Sequence, residues 1–272
     1  MEFEDGLVPA IIDDVLYQPG GLPLLQYALS ELFETREGLT LTHAGYEQIG
    51  GAVGALGKRA EELYQELNDL DKQQCRQMFL RLATIGEGSD GTRRVVKQSE
   101  LMAAALRPES LEEIIETFSL YRLLSLDTNP ETRSPTVEVA HEAILGEWKR
   151  LKTWLNESRV DIRLQQQLAG YVQEWEQSDG DESFLLRGSR LEQFEGWRET
   201  SQLSLTPTEN EFLDASVHLR AQKESEEIER QEREQHLQKR VRLGLQALAI
   251  VMFIATIVSG TMTIRANRFS LD

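Results

Sequence analysis

The chain has 272 residues, of which 40% are hydrophobic, and this is enough for two compact domains or for one domain with extensions. Asp and Glu total 46 against 29 Lys and Arg, and the formal charge of −17 argues against a nucleic-acid-binding module, because phosphate binding relies on clustered cations. The single cysteine, Cys75, excludes an internal disulfide and a cysteine-rich zinc site.

The N-terminal part of the chain is predicted to be helical. Apolar residues recur at helical spacing over 7–34, on both sides of the breaker QPGGLP at 18–23. Over 71–85 the apolar residues lie on one stripe, which predicts a helix that faces the core. The same pattern returns over 111–124, for which Ser110 is the predicted N-cap.

Short β-prone runs interrupt these helices at 93–97, 123–126 and 136–140. The last two flank a polar loop, 127–135, with the residue types that favour turns. The resulting order of helix, strand, helix, helix, strand, loop and strand is that of a winged helix. Helical patterns resume at His141 and continue towards the C-terminus, with breaks near Gly180, Gly188 and Pro207.

The segment 216–242 combines many charged residues with an absence of Gly and Pro, which predicts high helix propensity. Its apolar residues are too sparse for a sustained heptad pattern. We therefore predict a solvated, charged stalk helix, and a coiled-coil dimer is the alternative.

The segment 243–264 contains 22 residues without a charge. A helix of that length reaches about 33 Å, which is the thickness of a bilayer core. Cations lie on both sides, and their excess upstream places the large N-terminal part in the cytoplasm under the positive-inside rule. The sequence therefore predicts a single-pass membrane protein with a tail at 265–272, and a buried core helix is the alternative.

The glycine-rich run at 50–59, GGAVGALGKR, is the segment most similar to a phosphate-binding loop. Such a loop requires a glycine where this chain has Ala52 and a hydroxyl where it has Arg59. A loop followed by the start of a helix is therefore the preferred interpretation. The histidines are scattered without metal-ligand spacing, and Cys75 has no basic partner in sequence, so no catalytic or metal residue is predicted.

Several motifs resemble those of the STAND-class signalling NTPases. The run PGGLPLLQYAL at 19–29 is similar to their GLPL segment, and VAHEAIL at 139–145 is similar to their winged-helix histidine motif. Further matches are YEQIGG at 46–51, the pattern of Trp148, Arg150, Leu151, Trp154 and Leu155, and LRGSRL at 186–191. Together they resemble the novel STAND NTPase domain that is found upstream of WD repeats in bacterial, notably cyanobacterial, proteins.

The resemblance implies a role for two residues. In that family the GLPL proline packs against the adenine of bound ADP, and the winged-helix histidine reaches its β-phosphate and holds the domains closed. Pro23 would then contact the base and His141 the phosphate. Without the resemblance, Pro23 is a helix breaker that sets a turn and His141 is a residue that bonds locally at a helix start.

The departures from the family limit the expected activity. Its Walker A lysine and Walker B acids lie upstream of the GLPL segment, and this sequence has no counterpart. We therefore expect the C-terminal part of a STAND module, as a fragment, a split gene product or a degenerate copy, without ATP hydrolysis. ADP or ATP would bind only together with the missing N-terminal nucleotide-binding half, and the isolated chain is expected to hold no cofactor.

The favoured function is a non-catalytic regulatory module of a membrane-anchored STAND NTPase that helps to hold an ADP-bound switch closed. Its partners would be the membrane and an N-terminal NTPase half or an adjacent STAND or WD-repeat protein. The alternatives are a membrane-tethered winged-helix regulator that binds DNA, which the acidic composition disfavours, and a structural membrane protein without nucleotide.

The predicted fold is mainly α. It combines a helical subdomain with a winged-helix-like domain that carries a small β-hairpin, a helical extension, a charged stalk helix and one C-terminal transmembrane helix. The predicted boundaries are 1–57, 58–145, 146–215, 216–242, 243–264 and 265–272, in that order.

Overall fold

The computed structural model describes residues 1–16, 21–86 and 91–269, and for Pro23, 247–251 and 253–269 it describes the backbone alone. The chain divides into two compact units, Met1–Asp214 and Ala215–Asp272. Within the described residues the structure is mainly helical, as predicted, and its strands are short.

The first unit begins with a group of helices that pack on one another. Strand β1 (Glu2–Phe3) pairs in parallel with β2 (Thr40–Leu41). The helices are α1 (Leu7–Val15), α2 (Gly21–Glu34), α3 (His43–Ile49) and α4 (Gly51–Glu66). Helix α4 contacts the other three, and its buried face of Ala52, Ala55, Leu56, Ala60 and Leu63 forms the centre of this group. Small side chains on that face allow the close approach of neighbouring helices.

Two adjacent glycines make the sharp corner between α3 and α4. Gly50 and Gly51 have φ values of 92° and 71°, which residues other than glycine rarely adopt. The Tyr46 hydroxyl secures the corner, because it donates to Asp14 Oδ2 at 2.7 Å and accepts from the Ala52 N–H at 2.9 Å. Burial and the bond to Asp14 raise the pKa of Tyr46, so the phenol stays protonated as the donor.

A mixed helix and strand region follows. Its elements are α5 (Asp69–Arg81), β3 (Ala83–Thr84), β4 (Thr92–Arg93), β5 (Val96–Lys97), α6 (Gln98–Ala104), α7 (Pro108–Leu120), β6 (Leu124–Thr128) and β7 (Pro135–Val139). Strand β7 is central in a three-stranded antiparallel sheet of order β5-β7-β6, with Val96 opposite Val137 and Leu124 opposite Val139. Strands β3 and β4 form a separate antiparallel pair.

Two local predictions are corrected in this region. The predicted cap Ser110 lies inside the first turn of α7, which begins at Pro108, and its hydroxyl donates to Asp71 on α5 instead. The proline fixes a helical φ at the first position and therefore starts the helix earlier. The β-prone run 93–97 divides into β4 and β5 at an exposed Val95, because the two halves pair with different strands.

Helices dominate the remainder of the first unit. They are α8 (Ile144–Glu147), α9 (Lys149–Glu157), α10 (Arg159–Gln177), a 3-10 turn (Glu182–Phe184), α11 (Gly188–Thr200) and the start of α12 (Pro207–Phe269). At the start of α12, the Glu209 carboxylate accepts from the Thr206 N–H at 2.7 Å, and the Glu209 N–H donates to the Thr206 hydroxyl at 3.2 Å. This reciprocal pair has the arrangement of a capping box.

Glu209 also belongs to a buried ion pair with Arg81 of α5. The Arg81 guanidinium lies 2.9 Å from Glu209 Oε2, and the two side chains are only 5% and 4% exposed. Arg81 further donates to the Ser204 carbonyl at 2.7 Å, and the Gln165 amide of α10 donates to Glu209 Oε1 at 2.8 Å. One carboxylate therefore connects α5, α10 and the start of α12.

The second unit is the remainder of α12. Its predicted charged stalk over 216–242 is helical, and the side chains over 221–242 are exposed. Pairs at a spacing of four residues join Arg230 to Glu234 and Glu229 to Arg233 along the helix surface.

The transmembrane helix predicted over 243–264 is contradicted. Among the residues that the structure describes, none of the helices combines the length and the apolar character that are needed to cross a bilayer. Helix α12 has the length, but its described side chains belong mostly to the charged stalk, and the side chains at 247–251 and 253–264 lie outside the described residues. The single-pass membrane localisation depended on this helix and is wrong with it.

Candidate functional site

Pro23 is the third residue of α2, and its side chain lies outside the described residues. The start of this helix is held close to α1, because a Cβ on Gly21 would lie 2.5 Å from the Val15 carbonyl oxygen. Only glycine permits that approach without movement of the backbone. The predicted contact of Pro23 with a nucleotide base stays a prediction.

His141 lies in the turn that connects β7 with α8. The turn is fixed on both sides, because the Ala140 N–H donates to the Leu123 carbonyl at 3.0 Å and the His141 carbonyl accepts from the Ile144 N–H at 3.1 Å. The imidazole is half-buried. Burial, and then the charge of Arg93, lower the pKa of His141, so the ring is neutral near pH 7 and keeps one N–H donor and one acceptor nitrogen.

Arg93 lies on β4, opposite Ala83 of β3. Its guanidinium lies 3.5 Å from Glu138 Oε2 on β7, and its side chain is 49% exposed. The neighbouring Arg94 is engaged in the interior, because it pairs with Glu100 at 3.2 Å and donates to the Arg81 carbonyl at 3.3 Å. Arg93 is thus the more exposed cation of this pair, and its charge contributes to the lowered pKa of His141.

Helix α4 supports both elements that carry the predicted residues. It packs against α2 and against α8, the helix that follows the His141 turn. At Gly57 the approach is very close, because a Cβ there would lie 2.4 Å from the Glu147 carbonyl oxygen and 3.1 Å from the Trp148 nitrogen. The positions of α2 and of the His141 turn are therefore both set against one helix.

A charged and aromatic cluster fixes the end of α8 on α4. Glu61 of α4 accepts from the Trp148 indole N–H at 2.8 Å and from two nitrogens of Arg150 at 2.9 and 2.6 Å. The Arg150 guanidinium also lies 4.5 Å above the Tyr64 ring. Chiefly because of the Arg150 hydrogen bonds, the pKa of Glu61 is lowered to about 2.

Trp148 is fully buried at the centre of this cluster. Its ring lies edge-on to Phe79 at 5.1 Å and to Trp154 at 5.4 Å between centroids, a favourable arrangement for aromatic pairs. In the sequence, Trp148 and Arg150 stand out only as part of a family-like pattern, and nothing marks Glu61 as their partner. The partners lie 87 and 89 residues apart along the chain, so local spacing carries no signal for the contact.

An open groove with a volume of about 710 Å³ lies beside this cluster. Its lining residues are Gly54, Gly57, Lys58, Glu61, Glu147, Trp148, Lys149, Arg150, Thr153, Trp154 and Glu157. Three cations and three carboxylates share this lining, so the groove has no preference for one sign of charge.

The glycine-rich run at 50–59 does not form a loop around an anion. Gly50 ends α3, the following residues belong to α4, and the Lys58 ammonium donates to the Gln48 carbonyl. The backbone N–H groups of a helix interior bond within the helix and cannot cradle a phosphate. Within the described ranges, the structure has no cluster of three or more His, Cys, Asp or Glu side chains that could hold a metal ion.

Comparison with protein families gives one match. The family described as Novel STAND NTPase 1 matches residues 1–183, which include α1 to α10, both predicted site residues and the Glu61 cluster. Comparisons of the chain with curated proteins and with solved structures give no match. Because the family match covers well over half of the sequence, the chain belongs to the novel STAND NTPase 1 family.

Proposed function

We propose that this chain is a non-catalytic regulatory module of a STAND-type NTPase, and that it helps to hold an ADP-bound state closed. His141 would donate to a phosphate oxygen of ADP, and Pro23 would contact the base. The observation that carries the proposal is the half-buried, neutral imidazole of His141 in a fixed turn after the last strand of a family member.

The topology around His141 supports a winged helix as the sensing element. After α5 and the separate β3–β4 pair, strand β5, helices α6 and α7 and strands β6 and β7 follow in that order, and β7 bonds to both β5 and β6. This is the order that the sequence pattern predicts for a winged helix. The wing in this proposal is the β6–β7 hairpin, and the sensing residue follows its last strand.

The donor set at the turn fits a diphosphate group. A neutral imidazole presents one N–H, and a hydrogen bond from it to a charged phosphate oxygen is charge-assisted. When bound, ADP would supply the phosphate oxygens that accept this bond. The fixed backbone on both sides of His141 would hold the donor in one place, which reduces the entropy that binding costs.

The non-catalytic part of the proposal is supported by the glycine-rich run. Lys58 lies inside a helix and bonds to Gln48, so it cannot act as the lysine of a phosphate-binding loop. The nucleotide-binding elements would then come from an N-terminal NTPase half or from an adjacent STAND or WD-repeat protein, which would be the partner of this module.

Electrostatics disfavour the alternative of a DNA-binding winged helix. Helix α7 is the second helix of the α6–α7 pair, directly before the hairpin, and would have to enter the major groove. Its exposed face carries four carboxylates, Glu109, Glu112, Glu113 and Glu116, and α7 has no lysine or arginine. Such a face repels phosphates.

The test is a titration of the full chain with ADP, followed by NMR of histidine side chains in selectively labelled protein. The four histidines give few signals, and His141→Asn identifies the one of interest. Because most nucleotide contacts would come from the partner half, we expect only weak binding to this chain alone: the His141 signal should move with a Kd of about 1–10 mM, since a few polar contacts supply about 3–4 kcal/mol. His43, the first residue of α3, is the internal control and should not respond.

Pro23→Ala separates the two predicted contacts. We expect it to weaken the response to ADP and to leave the response to inorganic pyrophosphate unchanged, since pyrophosphate has no base. A His141 signal that stays fixed up to 10 mM ADP would refute the proposed role. Release of phosphate from Mg-ATP above background would refute the non-catalytic assignment, and salt-sensitive binding to duplex DNA would favour the alternative.

A further inference from the structure

The chain from His141 to Trp148 is a continuously hydrogen-bonded segment. The His141 carbonyl accepts from the Ile144 N–H at 3.1 Å, and the Ile144 carbonyl accepts from the Trp148 N–H at 3.0 Å. Between them, the Glu147 N–H donates to the Ala143 carbonyl at 2.9 Å. Ile144 and Trp148 are both buried, and buried backbone hydrogen bonds are costly to break. A shift of Trp148 therefore also displaces the turn that carries His141.

Glu61 of α4 holds the far end of this segment. Its carboxylate accepts from the Trp148 indole N–H at 2.8 Å and from two nitrogens of Arg150 at 2.9 and 2.6 Å. The Glu61 and Arg150 side chains are 36% and 35% exposed, and both line the open groove. The charge of this anchor can therefore be removed without leaving a cavity in the core.

Helix α4 also holds the element that carries Pro23. Helix α2 packs along α4, and the Arg59 guanidinium of α4 lies 2.6 Å from Glu31 Oε2 of α2. Arg59 and Glu61 are two positions apart, so they leave the helix on different sides. Arg59 anchors α2, and Glu61 anchors the segment that follows His141. The distance between the two predicted ligand contacts is thus set through α4.

We propose that Glu61 is a positioning residue for the nucleotide site, and that it fixes the His141 turn relative to α2 so that one ADP molecule meets both contacts at once. This inference rests on the proposed function, because it states how His141 and Pro23 would be held at the correct spacing. Two contacts to one ligand reinforce each other only when their spacing matches that of the ligand. A ligand that meets His141 alone has no such requirement.

A positioning role has a selective effect on ligands. Loss of the Glu61 anchor should weaken the binding of ADP, which needs both contacts, and spare inorganic pyrophosphate, which needs only His141. General loss of structure would instead weaken both ligands, because both need a formed His141 turn. The ratio of the two affinities therefore separates positioning from a merely structural role.

The experiment titrates the full chain with ADP and with inorganic pyrophosphate and follows the His141 side-chain signal. The readout is the Kd of pyrophosphate divided by the Kd of ADP in each variant. We expect Glu61→Gln, which removes the charge that pairs with Arg150, to lower this ratio by about 3- to 10-fold and to leave the Kd of pyrophosphate within about twofold. Glu66→Gln is the matched control, because it removes the same charge at an exposed position of the same helix, and its ratio should equal that of the original chain.

A double variant tests whether Glu61 acts through the spacing of the two contacts. When Pro23→Ala has removed the base contact, spacing no longer matters, so Glu61→Gln should lower the ratio no further. In the ligand-free protein, the His141 signal and the Trp148 indole N–H signal should both move in Glu61→Gln and stay in place in Glu66→Gln. A melting temperature close to that of the original chain establishes that each control and double variant is folded.

The outcomes separate the inference from the proposed function. A ratio that is the same in Glu61→Gln and in the original chain, with His141 still responding, would overturn the positioning role of Glu61 and leave the role of His141 intact. Equal weakening of both ligands in Glu61→Gln would do the same. A His141 signal that responds to neither pyrophosphate nor ADP in the original chain would overturn both.

Discussion

The close approach of α4 to the chain after the His141 turn can be tested by Gly57→Ala. An alanine Cβ at this position would lie 2.4 Å from the Glu147 carbonyl oxygen, against 3.4–4 Å for an ordinary contact. Backbone on one side must therefore move by roughly 1 Å, and such overpacking costs about 1–3 kcal/mol. The same substitution gains about 1 kcal/mol of helix propensity, so we expect a net loss of up to about 2 kcal/mol.

Gly54→Ala is the matched control, because it lies in the same helix and its Cβ would meet no atom within 4 Å. We expect this variant to gain up to about 1 kcal/mol from propensity alone. The difference between the two variants, about 1–3 kcal/mol, then isolates the steric contact with Glu147.

The assay is urea denaturation of the full chain, and each kcal/mol should also shift the melting temperature by roughly 2–4 °C. A second readout is the His141 signal, which should move in Gly57→Ala because α8 follows its turn, and should stay in place in Gly54→Ala. The reasoning fails if Gly57→Ala is as stable as Gly54→Ala.

Three further predictions concern other buried groups. Glu209→Gln leaves buried Arg81 with Glu100, at 3.1 Å, as its remaining carboxylate partner and should cost about 2–3 kcal/mol by urea denaturation; a loss below about 1 kcal/mol would show that the ion pair is solvated. Glu61, whose pKa of about 2 lies below its usual 4.5, adds stability above pH 4.5 that is lost as the pH falls towards 2; the Glu61→Gln variant should lack this dependence, which solvent screening of a 36% exposed side chain reduces to about 1–2 kcal/mol. Burial raises the pKa of the Cys75 thiol, so it should resist a disulfide reagent in the native protein and react once urea unfolds the chain, and fast native labelling would contradict its buried position.

Local patterns in the sequence predicted most of the secondary structure around the site. The apolar stripe over 71–85 corresponds to α5 followed by β3, and its members Met78, Phe79 and Leu82 are all buried. The last β-prone run corresponds to β7, so His141 was correctly located just after the final strand. These features depend on residues that are close in sequence, which is why periodicity and turn chemistry were sufficient to find them.

Contacts between distant segments were not predictable in the same way. The Arg81–Glu209 pair joins residues 128 positions apart, and each residue alone looks like an ordinary charge on a helix. Gly57 was examined only as part of a possible phosphate loop, although its role is to admit the backbone of Glu147. Arg93 had no motif around it, and its ion pair with Glu138 joins β4 to β7. All three of these contacts depend on tertiary packing and not on residues that are close in sequence.

The tryptophans offer an optical separation of the two units. All four, Trp148, Trp154, Trp175 and Trp197, belong to the unit Met1–Asp214, and Trp148 is enclosed by other aromatic rings. Indole emission consequently monitors the melting of that unit alone. Far-ultraviolet circular dichroism also registers the long helix of Ala215–Asp272, so any gap between the two melting curves measures how independently that helix unravels.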